Sequence, residues 1–269
     1  MKISTLGPKG TFSNEAAIMH DKNAEILFTR TIMDVFENVS KGDSDLGIVP
    51  VENSIAGSVG QALDYLIKSN LKVKDELILN INHNLAGFGK ISDINFLYIH
   101  PQAYEQCEIF IKKILPEAEI MLTSSNGKSA EIISKSKSRE NAAIVPKIAA
   151  DIYSLNILKK NVQDSSFNVT RFFAVAKEDN KKTGCDRTSI AVYPKWDKPG
   201  LLYRMLGEFA KRGISLTKIE SRPSKGRLGD YVFYIDLKGH RAEKNVSDAL
   251  NALAEFGSVK MLGSYPRKY

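Results

Sequence analysis

Two rhythms of apolar and polar positions alternate along this chain. Residues 3–6 read as a short strand, followed by Gly7-Pro8-Lys9-Gly10 and a helix beginning near Thr11–Ser13. Ile32, Val35, Phe36 and Val39 fall at i, i+3, i+4 and i+7, one face of a helix with Thr31 as its N-cap. Residues 46–51 read as a buried strand, and Val59, Ala62, Leu63, Leu66 and Ile67 mark the next helix. A second block repeats the pattern, with strands near residues 77–81, 96–99, 120–123 and 142–145 and helices between them. Strands alternating with amphipathic helices predict an α/β fold. Residues 45–50 and 141–146 both end on Ile-Val-Pro before a helix, a faint echo consistent with two similar lobes.

After a strand at residues 171–176, the stretch 177–184 is charged, lacks apolar anchors and reads as a linker. Beyond it the order is strand 188–193, a helix with Leu202, Met205, Leu206 and Phe209 on one face, strands 214–220 and 231–237, helix 246–256 and a final strand. That order is βαββαβ, a ferredoxin-like arrangement. Two domains are therefore expected, 1–183 and 184–269.

Composition fits a globular chain: 269 residues, 43% hydrophobic and 26% charged. No run approaches the roughly 18 apolar residues of a membrane-spanning helix, and the N-terminus has no apolar signal core. Cys107, Cys185 and the four histidines are scattered, so neither a disulfide framework nor a zinc site is expected. The chain reads as cytoplasmic and metal-free. Its net charge of +7 is unevenly placed: residues 1–185 hold 22 Lys+Arg against 22 Asp+Glu, and residues 186–269 hold 16 against 9. The basic excess forms no long block, which weighs against a nucleic-acid face.

Three strand-to-helix junctions are rich in small polar residues. Gly7-Pro8-Lys9-Gly10-Thr11-Phe12-Ser13 offers backbone donors and hydroxyls at a helix N-terminus, without Walker spacing. Glu52-Asn53-Ser54 ends a buried strand, and Thr123-Ser124-Ser125-Asn126-Gly127 precedes another helix. Each is open to a plain reading as a turn with a cap. Together they describe a crevice of neutral donors suited to a small carboxylate. In Asn168-Val169-Thr170-Arg171-Phe172, Thr170 shares a strand face with Phe172 while Arg171 faces the other way.

These stretches, with His100-Pro101-Gln102-Ala103, occur in the order seen in prephenate dehydratases, which the chain resembles along its whole length. The C-terminal part resembles an ACT domain through Lys198-Pro199-Gly200-Leu201-Leu202 and Leu216-Thr217-Lys218-Ile219-Glu220-Ser221-Arg222-Pro223. Two departures are Gly200-Leu201-Leu202 where that family has Gly-Ala-Leu, and Ser125-Asn126-Gly127 where it has Ser-Thr-Ala.

The resemblance implies a two-lobed, type II periplasmic-binding-protein-like catalytic domain. Lobe one would span about 1–77 and 169–180, and lobe two about 78–168. It implies decarboxylating dehydration of prephenate to phenylpyruvate, without metal or cofactor. The catalytic residues implied are Thr170, Asn53, Ser54, Arg171, Phe172 and Glu52, with Thr11, Ser13, Ser125 and Thr5 holding substrate. Arg171 pairs either with a carboxylate or with Glu52. L-Phenylalanine is the implied effector, bound by Gly200, Leu201, Leu202, Leu216, Glu220, Ser221, Arg222 and Pro223. A homodimer or homotetramer, with no nucleic-acid or membrane partner, goes with that reading. Arogenate dehydratase and a non-enzymatic amino-acid sensor are the alternatives.

Overall fold

A computed structural model describes residues 1–224 and 230–269. The chain opens with β1 (Lys2–Leu6), α1 (Phe12–His20), β2 (Glu25–Thr29), α2 (Ile32–Lys41), β3 (Leu46–Asn53), the short β4 (Gly57–Ser58), α3 (Gly60–Lys68) and β5 (Lys72–Asn80). Next come β6 (Asn84–Gly87), β7 (Phe96–Ile99), α4 (Pro101–Glu105), α5 (Glu108–Ile114), β8 (Glu119–Leu122), α6 (Asn126–Ser136), β9 (Asn141–Val145), α7 (Lys147–Ile152) and β10 (Asn156–Lys159). The chain then returns along β11 (Val169–Ala176).

β11 inserts into the first sheet, whose order is β2-β1-β3-β11-β5 with β4 off β3; the second sheet is β10-β6-β9-β7-β8. Two crossings between two α/β sheets make the two-lobed, type II binding-protein-like arrangement. Thr31 caps α2 with a full capping box, its hydroxyl accepting from the Asp34 N–H and the Asp34 carboxylate from its own N–H. Ile32, Val35, Phe36 and Val39 are all buried, as their spacing requires.

The strand read at residues 77–81 belongs to the first sheet. β5 pairs with β11 as far as Asn80, so the chain leaves this sheet after residue 80, against the crossing near residue 78 that the resemblance implies. The Ile-Val-Pro echo does not mark equivalent places. β3 continues through Pro50 to Asn53, whereas β9 stops at Val145 and Pro146 caps α7.

The C-terminal module is β12 (Asp186–Pro194), α8 (Leu201–Ala210), β13 (Leu216–Pro223), β14 (Tyr231–Lys238), α9 (Lys244–Leu253) and β15 (Gly257–Pro266), the expected βαββαβ order. Its antiparallel sheet runs β13-β14-β12-β15. Both faces are covered. Ile190, Val192, Ile235 and Leu237 pack under α8 and α9 with Met205, Phe209, Val246 and Leu253. On the other face Ala191, Val232, Tyr234, Leu262 and Tyr265 share one core with Val35, Leu63, Leu66, Val73 and Phe173 of the first lobe. β15 lies directly on β5: a Cβ on Gly263 would sit 2.3 Å from the Val73 carbonyl oxygen, and φ there is +150°. Residues 177–185 carry no helix or strand, but Asp179 and Asn180 tie this stretch to Ser264 and Arg241 of the C-terminal module.

Charges are buried at this junction. Glu76 Oε2 accepts from Arg171 Nε at 2.7 Å and from Arg187 at 2.6 Å. Arg171 also donates to Asp236 Oδ2 at 2.6 Å and to the Tyr265 hydroxyl at 2.9 Å. The Tyr269 ring lies 4.2 Å from the Arg187 guanidinium. Two cations face two carboxylates, so the cluster is neutral, as such burial requires; Arg187 Nε is its one buried polar atom without a partner among the described residues. Among the described residues no helix is long and apolar enough to cross a membrane.

Candidate active site

A cleft of about 380 Å³ opens between the lobes. Thr11, Ser13, Asn53, Thr170 and Phe172 line it from the first lobe, and His83, His100, Gln106, Ser125 and Asn126 from the second. Side-chain alternation along β11 sends Thr170 and Phe172 into the cleft and Arg171 to the opposite face.

Asn53 and Thr170 are register partners on β3 and β11. The Asn53 amide nitrogen donates to Thr170 Oγ1 at 2.9 Å and to Asn168 Oδ1 at 2.7 Å. Its oxygen accepts from the backbone N–H groups of Ile55 and Ala56. The Asn53 side chain is thereby saturated by protein partners and acts to orient Thr170. The Thr170 hydroxyl accepts from Asn53 but finds no acceptor for its own proton among the described residues.

The network continues into the second lobe. Asn168 Nδ2 donates to Gln106 Oε1 at 2.9 Å, and the same oxygen lies 2.9 Å from His83 Nε2. An amide oxygen only accepts, so His83 Nε2 carries the proton and Nδ1 is a bare acceptor. That Nδ1 and Asn126 Oδ1 are buried without partners among the described residues. Buried acceptors of this kind call for a donor from a ligand or water. The Phe12 ring meets His83 edge-on at 5.4 Å. α6 comes so close to the first lobe that a Cβ on Gly127 would lie 2.3 Å from the Lys9 carbonyl oxygen. No Asp, Glu, Lys or Arg is among the described residues lining the cleft.

Burial holds His83 below the usual histidine value of 6.5, partly offset by its Gln106 partner. Folding therefore favours the neutral ring. This contribution is complete above pH 6.5 and is lost as the pH falls through the folded-state pKa. Burial pushes His20 and His100 the same way. Replacing His83 with glutamine is expected to flatten part of the fall in thermal midpoint between about pH 7 and about pH 5; parallel curves for the two proteins would contradict it.

Thr11 caps α1, its hydroxyl accepting from the Asn14 N–H and donating to Leu6 O. Ser125 caps α6 by accepting from the Lys128 N–H. The N-termini of α1 and α6 thus open on the cleft from opposite lobes. Other expected residues lie elsewhere. Thr5 is fully buried under the cleft floor, donating to Ile48 O at 2.9 Å, and cannot touch a substrate. Ser54 pins the returning strand by accepting from the Val169 N–H. Glu52 and Arg171 leave the cleft altogether and face the C-terminal module, Glu52 meeting Lys218 at 2.8 Å. Gln106 and His83 belong to the site although no motif singles them out, and so does Asn168, which stands in the quoted stretch two residues before Thr170.

The residues expected to hold an effector are not gathered into one place. Gly200, at φ +82°, starts α8, and Leu201 lines a second cavity of about 360 Å³ with Tyr193, Trp196, Tyr231 and Phe233. Leu216 packs into the core beneath α8 and α9. Glu220 and Arg222 point instead at the first lobe, to Ser58 and Asp64, while Ser221 and Pro223 are exposed on the other face.

Residues 3–180 match the profile of the prephenate dehydratase family and residues 195–255 that of the ACT domain. The chain is 42% identical over 270 residues to the bifunctional chorismate mutase/prephenate dehydratase of Aquifex aeolicus, covering 99% of this chain and 74% of that one. It is 40% identical over 267 residues to the prephenate dehydratase of Methanocaldococcus jannaschii, 96% of each chain. A crystal structure of prephenate dehydratase in complex with L-Phe from Arthrobacter aurescens matches with a TM-score of 0.91 at 33% identity, over 99% of this chain and 90% of that one. Sequence, fold and cleft agree that the chain belongs to the prephenate dehydratases, lyases that here carry an ACT domain after the two-lobed unit.

Proposed function

We propose that this cleft turns prephenate into phenylpyruvate with Thr170 as hydrogen-bond donor to the departing hydroxyl, and that phenylalanine at the ACT domain lowers turnover. The observation that carries the first part is the polarity at Thr170: Asn53 fills its acceptor side, leaving its O–H to donate.

The reaction suits such a site. The ring carboxylate of prephenate leaves as carbon dioxide, and its bonding pair moves through the diene. The carbon–oxygen bond to the hydroxyl breaks, the hydroxide takes up one proton and departs as water, and the ring becomes aromatic. Aromatisation drives the step, so the protein must orient the substrate and ease hydroxide away. Threonine is a poor free-standing acid, and a hydrogen bond in the transition state is the role it can fill. Backbone N–H groups at the starts of α1 and α6, with Ser13 and Ser125, supply neutral donors for two carboxylates held between the lobes.

Support for the effector comes from the related structure crystallised with L-Phe and from the ACT match. The outer edge of β13 is unpaired among the described strands and Ile219 is exposed on it, which favours side-by-side pairing of two copies. Cys107 and Cys185 are free thiols, as a reducing cytoplasm allows.

Incubating the purified protein with prephenate and with arogenate, each with and without phenylalanine, tests the whole reading. Phenylpyruvate from prephenate, suppressed by phenylalanine, is expected. Turnover of arogenate alone would reassign the substrate. Unchanged rate and unchanged thermal midpoint at saturating phenylalanine would remove the effector.

A further inference from the structure

The residues beside the Asn53–Thr170 pair are also register partners: Glu52 lies opposite Arg171. They face away from the cleft, toward the C-terminal sheet. There Lys218 on β13 and Asp236 on β14 are register partners too. The two oppositely charged pairs meet with matched polarity. Lys218 Nζ is 2.8 Å from Glu52 Oε1, and Asp236 Oδ2 is 2.6 Å from the Arg171 guanidinium, which lies 3.9 Å from Glu52. A bulge at Thr217, where the β13–β14 register shifts, aims Lys218 at this spot.

The two halves of this square differ in stiffness. Asp236 and Arg171 are buried and held further by Ser189, Glu76 and Tyr265. The Glu52 side chain is 35% exposed. On the same face of β13, Glu220 accepts from Ser58 and Arg222 donates to Asp64, gripping the chain that follows Asn53.

We propose that Lys218 and Asp236, although they belong to the ACT domain, are positioning residues for the dehydration. The four charges fix β3 against β11 behind the cleft and so keep the Asn53 amide on the Thr170 hydroxyl. Because the Arg171–Asp236 half is rigid, a shift of β13 reaches the cleft through Glu52 while β11 stays in place. This rests on Thr170 being the donor to the leaving hydroxyl.

The test uses the full chain with Lys218→Gln, Lys218→Arg, Glu52→Gln and the double variant Lys218→Gln/Glu52→Gln. Small misplacements of reacting groups cost up to about 10²-fold. Lys218→Gln is expected to lower kcat roughly tenfold with KM within about twofold, at an unchanged thermal midpoint. Lys218→Arg should keep most of the rate, and the double variant should be no slower than either single one. The Asn53 side-chain amide resonance should shift in Lys218→Gln. A parent-like kcat with an unmoved Asn53 amide, additive losses in the double variant, or a rise in KM alone would overturn the proposal. If the parent turns over neither prephenate nor arogenate, the functional reading fails by itself, and the Asn53 resonance still decides whether Lys218 positions that amide.

Discussion

Replacing Thr170 with valine is expected to remove most turnover, by roughly 10²–10⁴-fold, and to leave the chain folded. Valine keeps the shape of threonine and exchanges only the hydroxyl for a methyl group. The Asn53 nitrogen that served it retains Asn168 and has the Val169 carbonyl at 3.3 Å, so no buried donor is stranded. The loss then reports the missing hydrogen bond to the departing hydroxyl and not a collapsed site. Serine retains the donor without the methyl group that fixes its direction, and Thr170→Ser should keep part of the rate. Turnover of Thr170→Val close to that of the parent, with matching circular dichroism, would end the assignment of Thr170 as the donor.

Removing Arg171 should have the largest effect on stability. Arg171→Met takes one of two cations from a cluster holding the buried carboxylates of Glu76 and Asp236. Glu76 keeps Arg187, but Asp236 keeps only the Ser189 and other neutral contacts against its charge. Breaking a buried pair by deleting one partner costs about 3–5 kcal/mol. Lysine should not restore it, because one ammonium cannot meet Glu76, Asp236 and the Tyr265 hydroxyl in the planar spread that guanidinium gives. Urea unfolding measures this; a loss under about 1 kcal/mol would place the arginine among exposed pairs that contribute little.

Much of the fold was readable because its elements bury one regular face. The α2 stripe with Thr31 as its N-cap, β3, β9 and the βαββαβ order all follow from local pattern. β2, β6 and β10 were missed, although β2, Glu-Ile-Leu-Phe-Thr, carries the β-branched and aromatic residues of a strand. β6 is Asn-Leu-Ala-Gly, without a β-branched or aromatic residue, and becomes a strand because β9 and β10 flank it. The site divides the same way. Thr11, Ser125 and Asn53 stand at strand-to-helix junctions and announce themselves, whereas Gln106 and His83 join only when the second lobe folds against Asn168. Arg171 and Glu52, which the resemblance implies as catalytic, lie one residue from Thr170 and Asn53, and alternation turns both away from the cleft. The basic excess of the C-terminal segment is explained in part by the same interface, where Lys218, Arg222 and Arg187 answer carboxylates of the first lobe.

The absence of charged side chains among the described residues lining the cleft has a consequence for bond breaking. Decarboxylation moves negative charge off the carboxylate and into the ring, so a cation seated against that group would stabilise the reactant more than the transition state and slow its loss. Under the proposed function, amide, hydroxyl and helix-end donors would hold the anion in register without trapping its charge. Rate in this site should therefore depend little on ionic strength, and a lysine or arginine introduced beside the ring carboxylate should tighten binding while making the enzyme slower.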